Sequence, residues 1–361
     1  MNKEQSSWGL GIVIALVFAA ILGGIGIFSA GFNKPFNLTQ QQLGVKTEKP
    51  KNDNDEPPGN NETPEPPVTN DRSLANVTNV PKGIFNYGGS TTFAPLRSDK
   101  IVGALNKVHP EFKLVYTEPL GGKKPGSGTG IEMLIEGDLV FSQSSRAVKD
   151  KEFERAKTRG FTIKQIPVAI DGIAFYVNPK LMDLGLKGIT LEQARKIFTG
   201  QITNWEEVGG PNIQITAFSR NLKAGGTVDF FYEKVLQKQQ LAENVREVRD
   251  TTDSIRKVAR TPGGIGYATA SEVVSQQTIN PIALAKDTNS DFVSPCANEK
   301  CKSVNQEDFA DGSYPLTRRL FVVVKQDNGL DQEAGNAYAN MMLSDEGQNF
   351  VEEADFVPIR K

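Results

Sequence analysis

The sequence predicts an α/β protein built on a parallel sheet, and two observations carry that prediction. From Gly83 onward, short apolar runs alternate with stretches whose apolar residues recur at helical spacing, the pattern of strand–helix units layered on a sheet. Four of the turns leading from a strand to a helix are rich in Gly, Ser, Thr and Arg, at 88–92, 126–130, 142–146 and 219–227. Ligands of open α/β sheets bind outside the carboxyl ends of the strands. Two facing lobes would let the four turns converge on one ligand.

Composition narrows the function. The chain has 361 residues, enough for two or three compact units. Its 41 basic residues are balanced by 43 acidic ones, which argues against a broad nucleic-acid surface. His109 is the single histidine, so a zinc site or a Ser-His-Asp triad would have to use it. Cys296 and Cys301 have no second Cys or His pair beside them, and neither a metal nor a cofactor is expected.

The chain opens on an uncharged, mostly apolar stretch, Trp8 to Phe32, long enough to cross a bilayer as a helix. Residues 1–32 are therefore expected to be a transmembrane anchor, with Trp8 at the interface. The alternative is a secretory signal cleaved at Ser29-Ala30-Gly31. No cysteine follows, which excludes a lipid anchor, and under either reading the remainder is exported. Residues 33–82 read as a linker: Lys49 to Pro67 is nearly all Pro, Asp, Glu, Asn and Lys and cannot bury a core. In an exported chain, two cysteines so close in sequence favour a disulfide, Cys296–Cys301.

Ile84 to Tyr87 reads as a strand, followed by Ser90, Thr91 and Thr92, which either cap the next helix or donate to a ligand. Gly88-x-Ser90 lacks the second Gly of a nucleophile elbow. After the strand Phe112 to Glu118, Gly121 and Gly126 have P-loop spacing, but Ser127-Gly128 stands where Lys-Ser/Thr is needed. That loop can still cradle a small oxyanion on its N–H groups. Leu139 to Phe141 is a short strand ending in Ser142-Gln143-Ser144-Ser145-Arg146. The long apolar run Phe161 to Val177 is interrupted by Asp171-Gly172, either a bulge or a functional carboxylate. Ile213 to Phe218 is a strand, Arg220 follows it, and Gly225, Gly226 and Thr227 open a helix. Orphan N–H groups, the helix dipole and a guanidinium fork would together hold an anion there. Leu320 to Val324 is a further apolar strand.

Taken in order, Gly89-Ser90-Thr91-Thr92, Gly126-Ser127-Gly128-Thr129-Gly130, Ser144-Ser145-Arg146, Asp171-Gly172-Ile173-Ala174, Phe198-Thr199-Gly200-x-Ile202-Thr203-Asn204-Trp205 and the Arg220…Gly225-Gly226-Thr227 loop resemble the phosphate-binding proteins of Pst-type ABC importers. Phe85-Asn86-Tyr87-Gly88-Gly89 looks most like the cyanobacterial branch. The resemblance runs from Gly83 to the C-terminus. It implies a two-lobe, type II periplasmic-binding-protein (Venus-flytrap) fold, with lobe I at 83–170 plus 315–361 and lobe II at 171–314. It matches Ser90 and Thr91 with the first phosphate loop, Ser127 with the second, and Arg220, Gly226 and Thr227 with the loop of lobe II; Thr92, Ser144, Ser145, Arg146, Asp171 and Gly225 complete the expected phosphate site. Many relatives carry Asp and Ser where this chain has Leu222, Lys223 and Gly225.

The implied function is capture of inorganic phosphate and delivery to the permease subunits of an ABC importer, without catalysis. It would be performed by a monomer on the periplasmic side of a bacterial inner membrane. Another oxyanion such as sulfate or molybdate, a membrane-tethered phosphate sensor, and an exported phosphatase remain as alternatives. Phosphate near neutral pH carries a proton that sulfate lacks, so selectivity needs an acceptor, and Asp171 is the candidate. Intact-mass measurement of protein from native membranes is expected to include residues 1–32; a soluble species starting near Phe32 would show cleavage instead.

Overall fold

In the computed structural model, residues 72–222 and 225–360 are described; the expected anchor Trp8–Phe32 and most of the linker lie outside them. Among the described residues no helix is long and apolar enough to cross a membrane. The chain joins its first core sooner than composition suggests. Leu74 and Val77, inside the 33–82 segment read as linker, are buried. The backbone of Leu74 is tied at both ends: its N–H donates to the Glu346 carboxylate at 3.0 Å, and its carbonyl lies 2.8 Å from His109 Nε2.

The first elements are β1 (Gly83–Gly89), α1 (Asp99–Val108), β2 (Phe112–Tyr116), α2 (Ser127–Glu136), β3 (Phe141–Ser144), α3 (Asp150–Thr158) and β4 (Thr162–Val177). Then come α4 (Pro179–Asp183), β5 (Gly188–Thr190), α5 (Leu191–Phe198), β6 (Thr216–Ser219), α6 (Gly226–Lys234), β7 (Arg246–Glu247), α7 (Thr251–Arg260), β8 (Gly264–Thr269) and α8 (Ala270–Val273). The chain closes with β9 (Asn280–Pro281), β10 (Ala283–Ala285), α9 (Gln306–Ala310), β11 (Thr317–Gln326), α10 (Leu330–Leu343) and α11 (Asp345–Glu353).

The strands line up as β2-β1-β3-β11-β4-β8-β6-β7, with β9 beside β4 and a separate β5–β10 pair. The outer pairings β1–β2, β1–β3, β6–β8 and β6–β7 are parallel, as the alternation predicts. The middle is not: β11 runs antiparallel to both β3 and β4, and β4 antiparallel to β8. The reason lies in two long strands that carry the chain between two cores in opposite directions. β4 pairs with β11 from Thr162 to Gly172 and with β8 from Ile173 to Val177.

Alternation along β11 divides the first half into layers. Leu320, Val322 and Val324 face a core with Phe85, Tyr87, Phe141, Tyr338 and Met341, while Phe321 and Val323 face a smaller cluster under α2 and α3 with Ile131, Leu134 and Val148. The second half packs around aromatic residues. Phe231 stacks on Tyr267 with centroids 3.7 Å apart, and Phe198 meets Phe231 edge-on at 5.0 Å. Trp205, fully buried, donates its indole N–H to the Gly263 carbonyl at 3.1 Å. Cys296 and Cys301 form the expected disulfide. So small a loop limits the unfolded chain by about 2 kcal/mol.

Asp171-Gly172 is not a bulge or turn; β4 continues through it. Glycine is required at 172 because a Cβ there would lie 2.2 Å from the Phe309 ring. Gly172→Ala is expected to destabilise the protein by about 1–3 kcal/mol through overpacking. Urea unfolding measures this, and Gly172→Ala/Phe309→Leu should recover most of the loss.

Candidate anion-binding site

The ends of β1 and β3 and the starts of α2 and α6 meet at one place. Ser90 leaves β1 with its N–H bonded to the Gln143 carbonyl at 2.8 Å, and its hydroxyl donates to Ser145 Oγ at 2.9 Å. Ser127, the first residue of α2, accepts the Ser145 N–H at 3.0 Å and lies 3.2 Å from Ser145 Oγ. The three serines are buried. Opposite them α6 begins at Gly226, where a Cβ would lie 2.3 Å from Ser127 Oγ and 2.4 Å from Ser145 Oγ. Any larger residue would push the two helix starts apart. Gly126 and Gly225, the residues preceding α2 and α6, also meet: a Cβ on Gly126 would be 3.3 Å from Gly225 Cα.

Those glycines have an electrostatic consequence. A helix start leaves its first N–H groups without internal partners and carries the positive end of the dipole. Ser, Thr, Asp or Asn before the helix would satisfy one of these groups. Gly126 and Gly225 have no side chain with which to do so. Two uncapped helix starts therefore face each other, and each raises the positive potential felt by the other.

A buried guanidinium adds to that potential. Arg318 on β11 is the direct cross-strand partner of Asp171 on β4, at the point where β4 leaves β11 for β8. Arg318 Nε donates to Asp171 Oδ2 at 2.9 Å, and Nη2 lies 2.8 Å from the same oxygen. The Thr269 hydroxyl donates to Asp171 Oδ1. Arg318 Nη2 also donates to Thr92 Oγ1 at 3.2 Å and Thr227 Oγ1 at 3.0 Å, and those two hydroxyls are 3.4 Å apart. Arg318 Nη1 is buried and has no hydrogen-bond partner among the described residues. Burial pushes the Asp171 carboxyl up, opposed chiefly by the Arg318 charge. Burial pushes the Arg318 guanidinium down, and although Asp171 opposes this, nearby Arg220 adds to it. Two guanidiniums thus lie near one another, with the carboxylates of Asp171 and Glu272 to balance them. An unpaired buried donor in such surroundings is an invitation to an oxyanion.

The expected site residues separate into two groups. Ser90, Ser127, Ser145, Gly225 and Gly226 come together, and Thr92, Thr227 and Asp171 meet at Arg318. Thr91, Ser144 and Arg146 are exposed or engaged elsewhere, while Arg220 lies close enough to act on the Arg318 charge. Thr91 is exposed. Ser144 gives its hydroxyl to the Arg146 carbonyl at 2.7 Å. Arg146 is held by both Glu152 carboxylate oxygens at 2.9 and 2.8 Å and reaches Asp229 at 3.3 Å. Arg220 is half-buried and lines a surface cleft with Asn221, Leu222, Gln240 and Leu241. Sequence reasoning did not single out Arg318, which precedes the apolar run Leu320 to Val324. A signal existed: a carboxylate inside one apolar crossing strand calls for a cation inside the other. Among the described residues no group of three His, Cys, Asp or Glu side chains converges as a metal site would.

Comparison with known proteins gives the family to which this fold belongs. Residues 63–346 match the model of the PBP superfamily domain, so the chain belongs to the PBP superfamily. Among its relatives, the phosphate-binding protein PstS of Staphylococcus haemolyticus is 29% identical over 278 residues, covering 76% of this chain and 81% of that protein. The PstS of Staphylococcus aureus is 27% identical over 278 residues, covering 76% and 78%. Of solved structures, a substrate-binding protein assigned to phosphate ABC transport in Clostridium perfringens, with phosphate bound, superposes with a TM-score of 0.61 at 25% identity, over 77% of this chain and 100% of that one. PstS of Borrelia burgdorferi superposes at 0.52 with 26% identity, over 78% and 100%.

Arg318→Met leaves Asp171 buried and unpaired and is expected to cost about 3–5 kcal/mol of stability. Arg318→Met/Asp171→Asn should lose markedly less than the sum of the single variants in urea unfolding. Additive losses would show that the two residues act separately.

Proposed function

We propose that this protein is a solute-binding protein that captures inorganic phosphate in its cleft and delivers it to the permease subunits of an ABC importer. One observation carries the reading: buried Arg318 bonds one Thr hydroxyl from each half, Thr92 and Thr227, beside two helix starts that no side chain caps. The names of the relatives and the phosphate in the Clostridium structure support phosphate as the anion. In this reading residues 83–170 with 315–361 form one lobe and 171–314 the other. β4 and β11 are the crossings about which the lobes close. Ser90, Thr92, Ser127 and Ser145 approach the anion from the first lobe. Gly225, Gly226 and Thr227 approach it from the second, and Arg220 supplies long-range charge. The apolar Trp8–Phe32 segment tethers a monomer to the periplasmic face of the inner membrane.

Selectivity follows from donor chemistry. A hydroxyl both donates and accepts, so a cradle of hydroxyls can take the proton that phosphate carries, whereas sulfate offers only acceptors. Asp171 stands behind Arg318 and holds it in place. It also keeps a negative charge near the site, which disfavours a fully deprotonated anion. Capture and release make or break no covalent bond, so the site needs no nucleophile.

Titration calorimetry with phosphate, arsenate, sulfate and molybdate tests the assignment. Phosphate and arsenate should bind alike and sulfate far more weakly; equal affinity for sulfate would remove it. Arg318→Lys keeps one charge but loses the fork, and should weaken phosphate binding at least about tenfold, since charge-assisted bonds are worth about 1.5–3 kcal/mol. Asp171→Asn should narrow the phosphate–sulfate gap.

A further inference from the structure

Two ion pairs join the same two halves outside the anion cradle. Arg146 Nε lies 3.3 Å from Asp229 Oδ2, and Lys149 Nζ lies 3.3 Å from Glu233 Oε1. Asp229 and Glu233 are one turn apart on α6, so both carboxylates lie on one helix face. Arg146 and Lys149 come from the segment that joins β3 to α3. We propose that these four side chains form a strap that holds the cleft shut and sets how slowly the anion leaves. The proposal rests on the reading of two lobes closing on phosphate.

Arg146 is built for this role and poorly placed to serve as a ligand. Its Nη1 donates to Glu152 and to the Ala147 carbonyl at 2.9 and 2.8 Å, its Nη2 to Glu152 at 2.8 Å, and its Nε to Asp229 at 3.3 Å. Those bonds occupy four of the five N–H groups a guanidinium carries. Glu152 is itself fixed, because it also accepts the Lys149 N–H at 2.8 Å at the start of α3. Gly128, in the first turn of α2, packs on the guanidinium; a Cβ there would lie 3.2 Å from Nη2. Burial works against the Arg146 charge, but Glu152 and Asp229 outweigh it and hold the guanidinium above its usual value. An exposed ion pair gains little because two long side chains must be ordered to make it. Here the arginine is ordered beforehand by its own half, so docking of α6 has only Asp229 left to place.

The charge balance supplies a test of sign. Glu152 already neutralises Arg146, which leaves Asp229 as an excess negative charge near an anion site. Were Asp229 only a bystander, removing its charge would tighten phosphate binding and slow release. As part of a strap, its removal speeds release.

The experiment uses the full chain. Phosphate dissociation is followed by stopped flow for Asp229→Asn, Lys149→Glu, Glu233→Lys and the Lys149→Glu/Glu233→Lys swap. Lys149 and Glu233 are both partly exposed, at 35% and 38% of their side chains, so reversing them should leave the fold intact. Asp229→Asn and the single reversals should raise the dissociation rate about three- to tenfold, the swap should return it to within about twofold of wild type, and added salt should shrink the differences. Slower release from Asp229→Asn, or a swap no better than the single reversals, would overturn the strap. Hydrogen exchange of the phosphate-free protein is measured in parallel. The single reversals should speed exchange at residues 127–130 and 226–229, and the swap should restore it. A wild type that binds no phosphate would remove the functional reading, and the exchange data would then decide the strap alone.

Discussion

The buried pair between Asp171 and Arg318 is the constraint on which the rest of the structure depends. Both charges are almost wholly removed from water, at 1% and 5% exposure. A pair so buried adds little net stability, but losing either partner strands the other charge. It therefore fixes register. It couples β4 to β11 where β4 changes partners, and Thr269 brings β8 onto the same carboxylate. Through its remaining nitrogens the same guanidinium reaches Thr92 and Thr227, one hydroxyl from each half. One ion pair thus joins the two crossings and also orients the donors of the pocket.

The glycines of the site are best understood through what they omit. Gly126 and Gly225 omit caps, leaving two helix starts unsatisfied and facing each other. Gly226 omits a Cβ that would strike two serine hydroxyls. The result is a cluster in which two positive helix ends face each other, beside a buried nitrogen that has no partner among the described residues.

Arg146 shows how two residues of one chemical type come to different ends. Both Arg146 and Arg318 are buried arginines. Glu152, supplied by the first turn of α3, takes both terminal nitrogens of Arg146. Asp171 meets Arg318 on one edge only and leaves Nη1 without a partner. The difference lies in the neighbouring carboxylate and its approach, which neither Ser144-Ser145-Arg146 nor Thr317-Arg318-Arg319 displays in its local sequence.

Local chemistry alone determined a good deal of this protein. The alternation of apolar runs and helical spacing determined the α/β class, and Gly, Ser and Thr after strands determined where donors would gather. The oddity of Asp171 in an apolar run was legible too, because a lone carboxylate is costly wherever its strand is packed. Cys296 and Cys301 were legible as a pair because so short a separation keeps two thiols within reach. Tertiary structure decided what depends on distant partners: that β11 runs against β3 and β4 and β4 against β8, that Leu74 and Val77 enter the first core, that Ser142 to Ser144 belong to a strand, and that Arg318 answers Asp171. Separations of that kind, 147 residues for the last pair, leave no periodic trace in the chain. They arise only when burial of one charge makes the choice of its partner a condition of folding.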